Sequence, residues 1–146
     1  MKKKSKSFIS VFKDIGGSTF LEQEGYAGSQ CKEKIEVDIV PFDDLNIEFK
    51  GVSLLKIDAQ GFEIPILKGM KKSIHNFDYI FVESRFIETL KNSGTFNNLY
   101  KLMLEYDFEI IDILALTRRP LDDATTEIDV AFCKKDNPIL NEKRWS

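Results

Sequence analysis

The sequence predicts an α/β fold with parallel central strands, an antiparallel C-terminal hairpin and flanking helices, and three features carry that expectation. Its 146 residues fit one domain, because chains of this length bury enough surface to fold alone. From Gly51 the hydrophobic period alternates between short apolar runs and helical spacing: VSLLKID, a helix-compatible stretch, DYIFVES, a second helix, then FEIIDILAL. FEIIDILAL and EIDVAFCKK are separated only by TRRPLDDATT (117–126), which is short for a helical crossover and suits a hairpin.

Taken in order, Ser7–Asp14 and Lys34–Val40 read as strands. The second places Ile35, Val37 and Ile39 on one face and Glu36 and Asp38 on the other, as a half-exposed strand requires. Between them GGSTFLEQEGYAGSQ (16–30) holds four of the eight glycines and reads as a loop near a sheet edge, with the makings of a lid. VSLLKID and DYIFVES are almost continuously apolar, the pattern of parallel strands covered on both sides, and a helix over Phe62–Lys72 joins them in a right-handed crossover. In a second helix over Phe96–Tyr106, Phe96, Leu99, Tyr100 and Met103 share one face, with Thr95 as N-cap after Gly94. Beyond Lys135, DNPILNEKRWS has no period and reads as a tail docking through Ile139, Leu140 and Trp145. The expected organisation is a single domain over 1–146: N-terminal strands and Gly-rich loop in 1–50, an α/β core in 51–135 and a tail in 136–146.

Composition narrows the function. Hydrophobic residues make up 42% and charged residues 31%, with twelve Phe and four Tyr, which is globular and not disordered. The net charge of -3 is spread among interspersed acids and bases, so no basic stripe is available for nucleic acid, and MKKKSK at the start reads as a solvated end. Cys31 and Cys133 lack CxxC spacing, which argues against a disulfide scaffold or a zinc knuckle and suits a reducing compartment. FISVF (8–12) is too short for a signal core or a membrane span, and the expected location is the cytoplasm. His75, the single histidine, sits in the polar connection SIHNFD, which supports neither a Ser-His-Asp triad nor a His-rich metal site, and no metal is assigned. Arg118 and Arg119 read as a solvated turn.

The chemistry concentrates in KIDAQGFE, where a buried strand gives way to a helix. Ligands of open parallel sheets bind beyond the carboxyl ends of the strands, and Gly61 permits backbone angles that bring the turn close to a ligand. Asp58 closes an apolar run, a costly place for a carboxylate unless it meets a partner, a ligand or water. The next strand ends in Glu83 and Ser84, so if the two strands are neighbours two acids flank one site. The competing reading has Asp58 and Glu63 capping the helix, with Pro65 accommodated in its first turn.

LLKIDAQGFEIPILKG, the strand IFVES, the ending TEIDVAFCKK and the preceding IEVDIVPFDDL together resemble, over roughly residues 34–135, the later half of the FkbM family of S-adenosylmethionine-dependent methyltransferases. The resemblance implies an incomplete Rossmann-like methyltransferase sheet and methyl transfer from S-adenosylmethionine to an oxygen of a sugar or polyketide-like acceptor. It casts Asp58 and Glu83 as catalytic, Asp58, Gln60 and Gly61 as cofactor-binding, and Glu63, Ser84 and Arg85 as acceptor-binding. Two departures stand out. Gln60 replaces the Glu that many members carry, losing a charge at similar size. No glycine makes a G-x-G turn between an apolar strand and a helix, so the expectation is a chain that lacks the cofactor half and exposes an apolar edge at VSLLKID to water, to a second copy or to a partner chain. Two classes of function follow: a methyltransferase completed by a missing piece, or a non-catalytic remnant serving as a binding or assembly module. A carbohydrate-binding domain that retains only the acceptor surface is a third.

Overall fold

Residues 5–13, 15–22 and 31–145 are described by the computed structural model. The basic start at 1–4, Asp14 and the part of the Gly-rich loop from 23 to 30 lie outside the described residues. β1 (Ser5–Phe12) and β2 (Cys31–Ile39) pair antiparallel as a two-stranded ribbon, the second beginning three positions earlier than its alternation indicates. Val37 and Ile39 are half-buried while Ile35 is exposed, so the apolar face of β2 is only partly covered. The first half of the Gly-rich loop is ordered against the rest of the chain: Ser10 and Thr19 exchange two backbone hydrogen bonds, and Thr19 is buried.

The remaining strands form one mixed sheet. β3 (Leu54–Ile57) runs parallel to β4 (Tyr79–Arg85), and the hairpin of β5 (Phe108–Arg118) and β6 (Thr125–Lys134) completes the order β3-β4-β6-β5. β6 therefore lies between β4 and β5 and is antiparallel to both. Its alternation explains the position. Ile128, Val130 and Phe132 continue the apolar surface of Ile80 and Val82, so placing β6 beside β4 gives one unbroken face.

That face is where the helices pack. α1 (Glu63–Lys68) and α2 (Phe96–Glu105) press Leu67, Leu99 and Met103 against Ile80, Val82 and Val130 in a single core cluster. α1 is shorter than its pattern suggests, ending at Gly69 instead of Lys72. The reason lies in PFDDL. The Asp43 carboxylate accepts the N–H groups of Lys72 (3.0 Å) and Ser73 (2.8 Å), drawing the chain into a separate 3-10 turn at Ser73–Asn76. α2 begins as expected: Asn98 Oδ1 accepts from the Thr95 backbone N–H at 3.0 Å, and Leu102 joins Leu99 and Met103 on a wider buried stripe than the four positions foreseen. Gly94 has φ 75°, and a Cβ there would also lie 2.7 Å from the Ile64 side chain of α1, so glycine suits the position on both counts.

The tail does not dock as its apolar residues suggest. Trp145 is fully exposed and Ile139 largely so, leaving only Leu140 half-buried beside a 3-10 turn. Arg118 and Arg119 are paired within their own hairpin loop, to Asp123 at 3.1 Å and Asp122 at 2.7 Å. His75 is exposed and meets Tyr106 edge-on. No described helix is long and apolar enough to cross a membrane.

Neighbouring positions on α2 test this packing. Leu99 is 1% exposed and Leu104 is 40% exposed. Urea unfolding should show Leu99→Ala losing about 2–5 kcal/mol of stability and Leu104→Ala less than about 1 kcal/mol.

Candidate active site

β3 and β4 end side by side. Their last registered pair is Ile57 with Val82, so Asp58 and Glu83 are the next residues on adjacent parallel strands. Side chains alternate across a strand, which puts Lys56, Asp58, Glu83 and Arg85 on the face away from α1 and α2, together with Glu127 and Asp129 of β6. The two acids foreseen from the strand ends thus share one rim.

What joins them is Gln60. Its Nε2 donates to Asp58 Oδ1 at 3.1 Å and to Glu83 Oε2 at 3.4 Å, while its Oε1 accepts from Arg85 Nη2 at 3.1 Å. The amide orientation follows from chemistry, since carboxylates accept and a guanidinium only donates. A Glu at this position would bring a third acid between Asp58 and Glu83. The amide is the side chain of that length that can donate to both and still accept from Arg85.

The backbone beneath is a tight turn. Phe62 N–H donates to the Ala59 carbonyl at 3.2 Å, with φ 48° at Gln60 and 93° at Gly61, the signs of a type I′ turn. Glu63 locks it: buried at 5% exposure, its Oε1 accepts the N–H groups of both Ala59 and Gly61 at 3.0 Å. From the opposite side the Thr19 hydroxyl donates to the Gln60 carbonyl at 2.7 Å, and Phe20 packs on Phe62. Neither Thr19 nor its role was visible in the sequence, because the contact spans 41 positions with no local signal.

The eight functional assignments made on seven residues do not fall into one pocket. Asp58, Glu83, Gln60 and Arg85 are brought together on the helix-free face. Glu63 and Ser84 lie on the helix side and line, with Gly61, Ser93 and Gly94, a cavity of about 10 Å³. That is room for about one water. Gly61 approaches protein instead of open space, since an added Cβ would lie 2.8 Å from Leu21 and 2.9 Å from Ser93.

Electrostatics separate the members of the rim. Burial, then the charges of Asp58 and Glu127, push Glu83 up from 4.5 to about 7 against the pull of Arg85. Arg85 itself is 7% exposed and gives its Nε to Glu127 Oε1 at 2.7 Å. Lys56 lies across β4 and reaches Asp129 at 3.4 Å. Glu127 is the residue that sequence reasoning missed. Its alternation with Asp129 in TEIDVAF marks a polar face, but only the placement of β6 against β4 sets it opposite Arg85.

The residues expected to hold S-adenosylmethionine offer a poor fit to the whole cofactor. Both atoms of the Gln60 amide are engaged, the Gly61 N–H is taken by Glu63, and the adjoining cavity is far below the volume of a nucleoside. Asp58, exposed at the rim, keeps acceptor capacity for a hydroxyl.

The chain is thus an α/β domain with two acids at neighbouring parallel strand ends. The Methyltransferase FkbM domain matches residues 2–110, about three quarters of the chain, and the chain belongs to that family. The matched segment starts well before the stretch on which the resemblance was first seen, taking in β1 and β2, and stops inside β5 before TEIDVAFCKK. Membership indicates methyltransferase function, and S-adenosylmethionine dependence is general to such domains. No curated protein and no solved structure matches the chain.

Substitutions at the turn and at the rim have distinct signatures. Gly61→Ala combines a left-handed backbone with contacts too close for a methyl group and should cost about 2–4 kcal/mol in chemical denaturation. Glu83 keeps its proton up to about pH 7 when folded but only to its ordinary 4.5 when unfolded. Between those values the folded state binds more protons, so this residue's contribution to stability is complete below the lower value and is lost as pH rises through the upper one. Unfolding midpoints of Glu83→Gln measured from pH 4 to 8 should show less loss with rising pH than those of the parent chain, as expected from linkage of roughly this size.

Proposed function

We propose that this chain carries the acceptor side of an O-methyltransferase, with Glu83 taking the proton that a sugar-like hydroxyl releases on methylation. The observation that carries the reading is the Gln60 amide spanning Asp58 and Glu83, which fixes two acceptors on adjacent strand tips at an accessible rim. A carboxylate whose proton affinity lies near neutrality is suited to general base work, a role typically worth about 10² to 10⁴ in rate. Asp58, the more exposed acid, holds and orients the hydroxyl. S-adenosylmethionine supplies the methyl group in this chemistry, and the cofactor site belongs to a further structural layer.

β3 is where such a layer attaches. Its outer edge is unpaired among the described residues, with Leu54 53% exposed and Val52 just before it 79% exposed, and strands added beyond β3 would extend the sheet toward a Rossmann-like one. The same edge favours the second reading, a non-catalytic binding or assembly module that captures a strand from a second copy or another chain. A chain acting in the cytoplasm on a small hydroxylated or carbohydrate acceptor suits the first.

Two titrations separate them. The acceptor-side reading expects a panel of sugars to move the NMR signals of Asp58, Gln60 and Glu83, with affinity falling about tenfold in Asp58→Asn, the effect of roughly one lost charge-assisted hydrogen bond. It also expects no saturable calorimetric response to S-adenosylmethionine alone. Silence toward every acceptor would leave the assembly module, and tight cofactor binding by this chain would overturn the assignment of the cofactor site to a further layer.

A further inference from the structure

Behind the rim lies an arrangement of charges that the acid pair does not explain. Arg85 and Glu127 stand directly opposite each other in the β4–β6 register, and Glu127 Oε1 takes the Arg85 Nε at 2.7 Å. Glu83 Oε2 lies 3.7 Å from Arg85 Nη2, beyond a hydrogen bond, while that same Nη2 donates to Gln60. One guanidinium thus has two carboxylates within reach and makes its short contact with the one on β6. The preference matters because a guanidinium meeting a carboxylate closes readily into a two-pronged ion pair. Glu83 held that way would be a poor proton acceptor.

We propose that Glu127 is a positioning residue for Glu83: by engaging the Arg85 Nε along β6 it holds the guanidinium back from a close pair with Glu83 and turns an Nη2 N–H toward the Gln60 amide, which presents its own N–H groups to Glu83 and Asp58. The other charges around Glu83 fit this arrangement. Asp58 faces it from β3 and Glu63 lies beneath it on α1. Asp129, its register partner on β6, pairs with Lys56 at 3.4 Å. Arg85 and Lys56 each make their shorter ion pair with a β6 acid, and the direct hydrogen-bond donor to Glu83 among the described contacts is a neutral amide. The inference rests on the reading of Glu83 as proton acceptor, but its geometry does not depend on any methyl donor.

The test is a carbon-13 NMR titration of the Glu83 side-chain carboxyl in the full chain. In Glu127→Gln the freed Arg85 closes on Glu83, and the titration midpoint should fall by about one unit or more. In an Arg85→Met background the same Glu127→Gln substitution should move it by less than about a third as much, the non-additivity expected of residues acting through a shared partner. An unmoved midpoint in Glu127→Gln, or equal shifts in both backgrounds, overturns the proposal, the second result meaning that Glu127 acts by its charge alone. Should Arg85→Met fail to fold, Glu127→Asp decides. It keeps the charge but retracts from Nε, so release of Arg85 lowers the midpoint, whereas a pure charge effect leaves it in place and overturns the proposal. Since neither cofactor nor acceptor enters this readout, its failure is separable from failure of the acceptor titrations.

Discussion

Two consecutive left-handed residues, Gln60 and Gly61, make the turn on which the rim depends. A left-handed backbone is unfavourable for Gln, and it is held from both sides. Glu63 satisfies the N–H groups inside the turn, and Thr19 binds the carbonyl outside it. The reversal aims the Gln60 side chain back over the strand tips it has just left. Without it Asp58 and Glu83 would still be neighbours by register, but no amide would donate to both of them.

Neutrality is what makes the amide effective. Two carboxylates within reach of one guanidinium would ordinarily resolve into ion pairs, leaving little proton affinity at either. Here the amide sits between acids and guanidinium, accepting from one and donating to the others, while the β6 acids engage the cations. Glu83 is left partly buried beside like charges, and its raised proton affinity follows from that environment. The departure from the Glu that many family members carry is therefore coherent with its surroundings in this chain.

The sheet is unevenly covered. Both α-helices among the described residues lie on one face, with the core between them and Ile80, Val82, Val130 and Phe132, while the polar network occupies the other. β3 ends the sheet as a short strand with the apolar side chain of Leu54 exposed. Open edges of this kind are templates for a further strand, which connects the architecture to the idea that the activity is completed by another layer.

Local pattern determined a good part of this protein. Alternation and apolar runs identified every strand of the mixed sheet, Gly94 and Thr95 marked the start of α2, and KIDAQGFE marked the strand-to-turn junction, because each of these is set by residues within a few positions of one another. The shortening of α1 was hidden since it depends on Asp43, 29 positions from the Lys72 N–H it binds. The tail was misjudged because its apolar residues carry no period that ties them to a surface. Above all, the insertion of β6 between β4 and β5, and with it the meeting of Glu127 and Arg85, was decided by tertiary packing. Strand order within a sheet is chosen by which faces complete a common core, and no neighbouring residue along the chain records that choice.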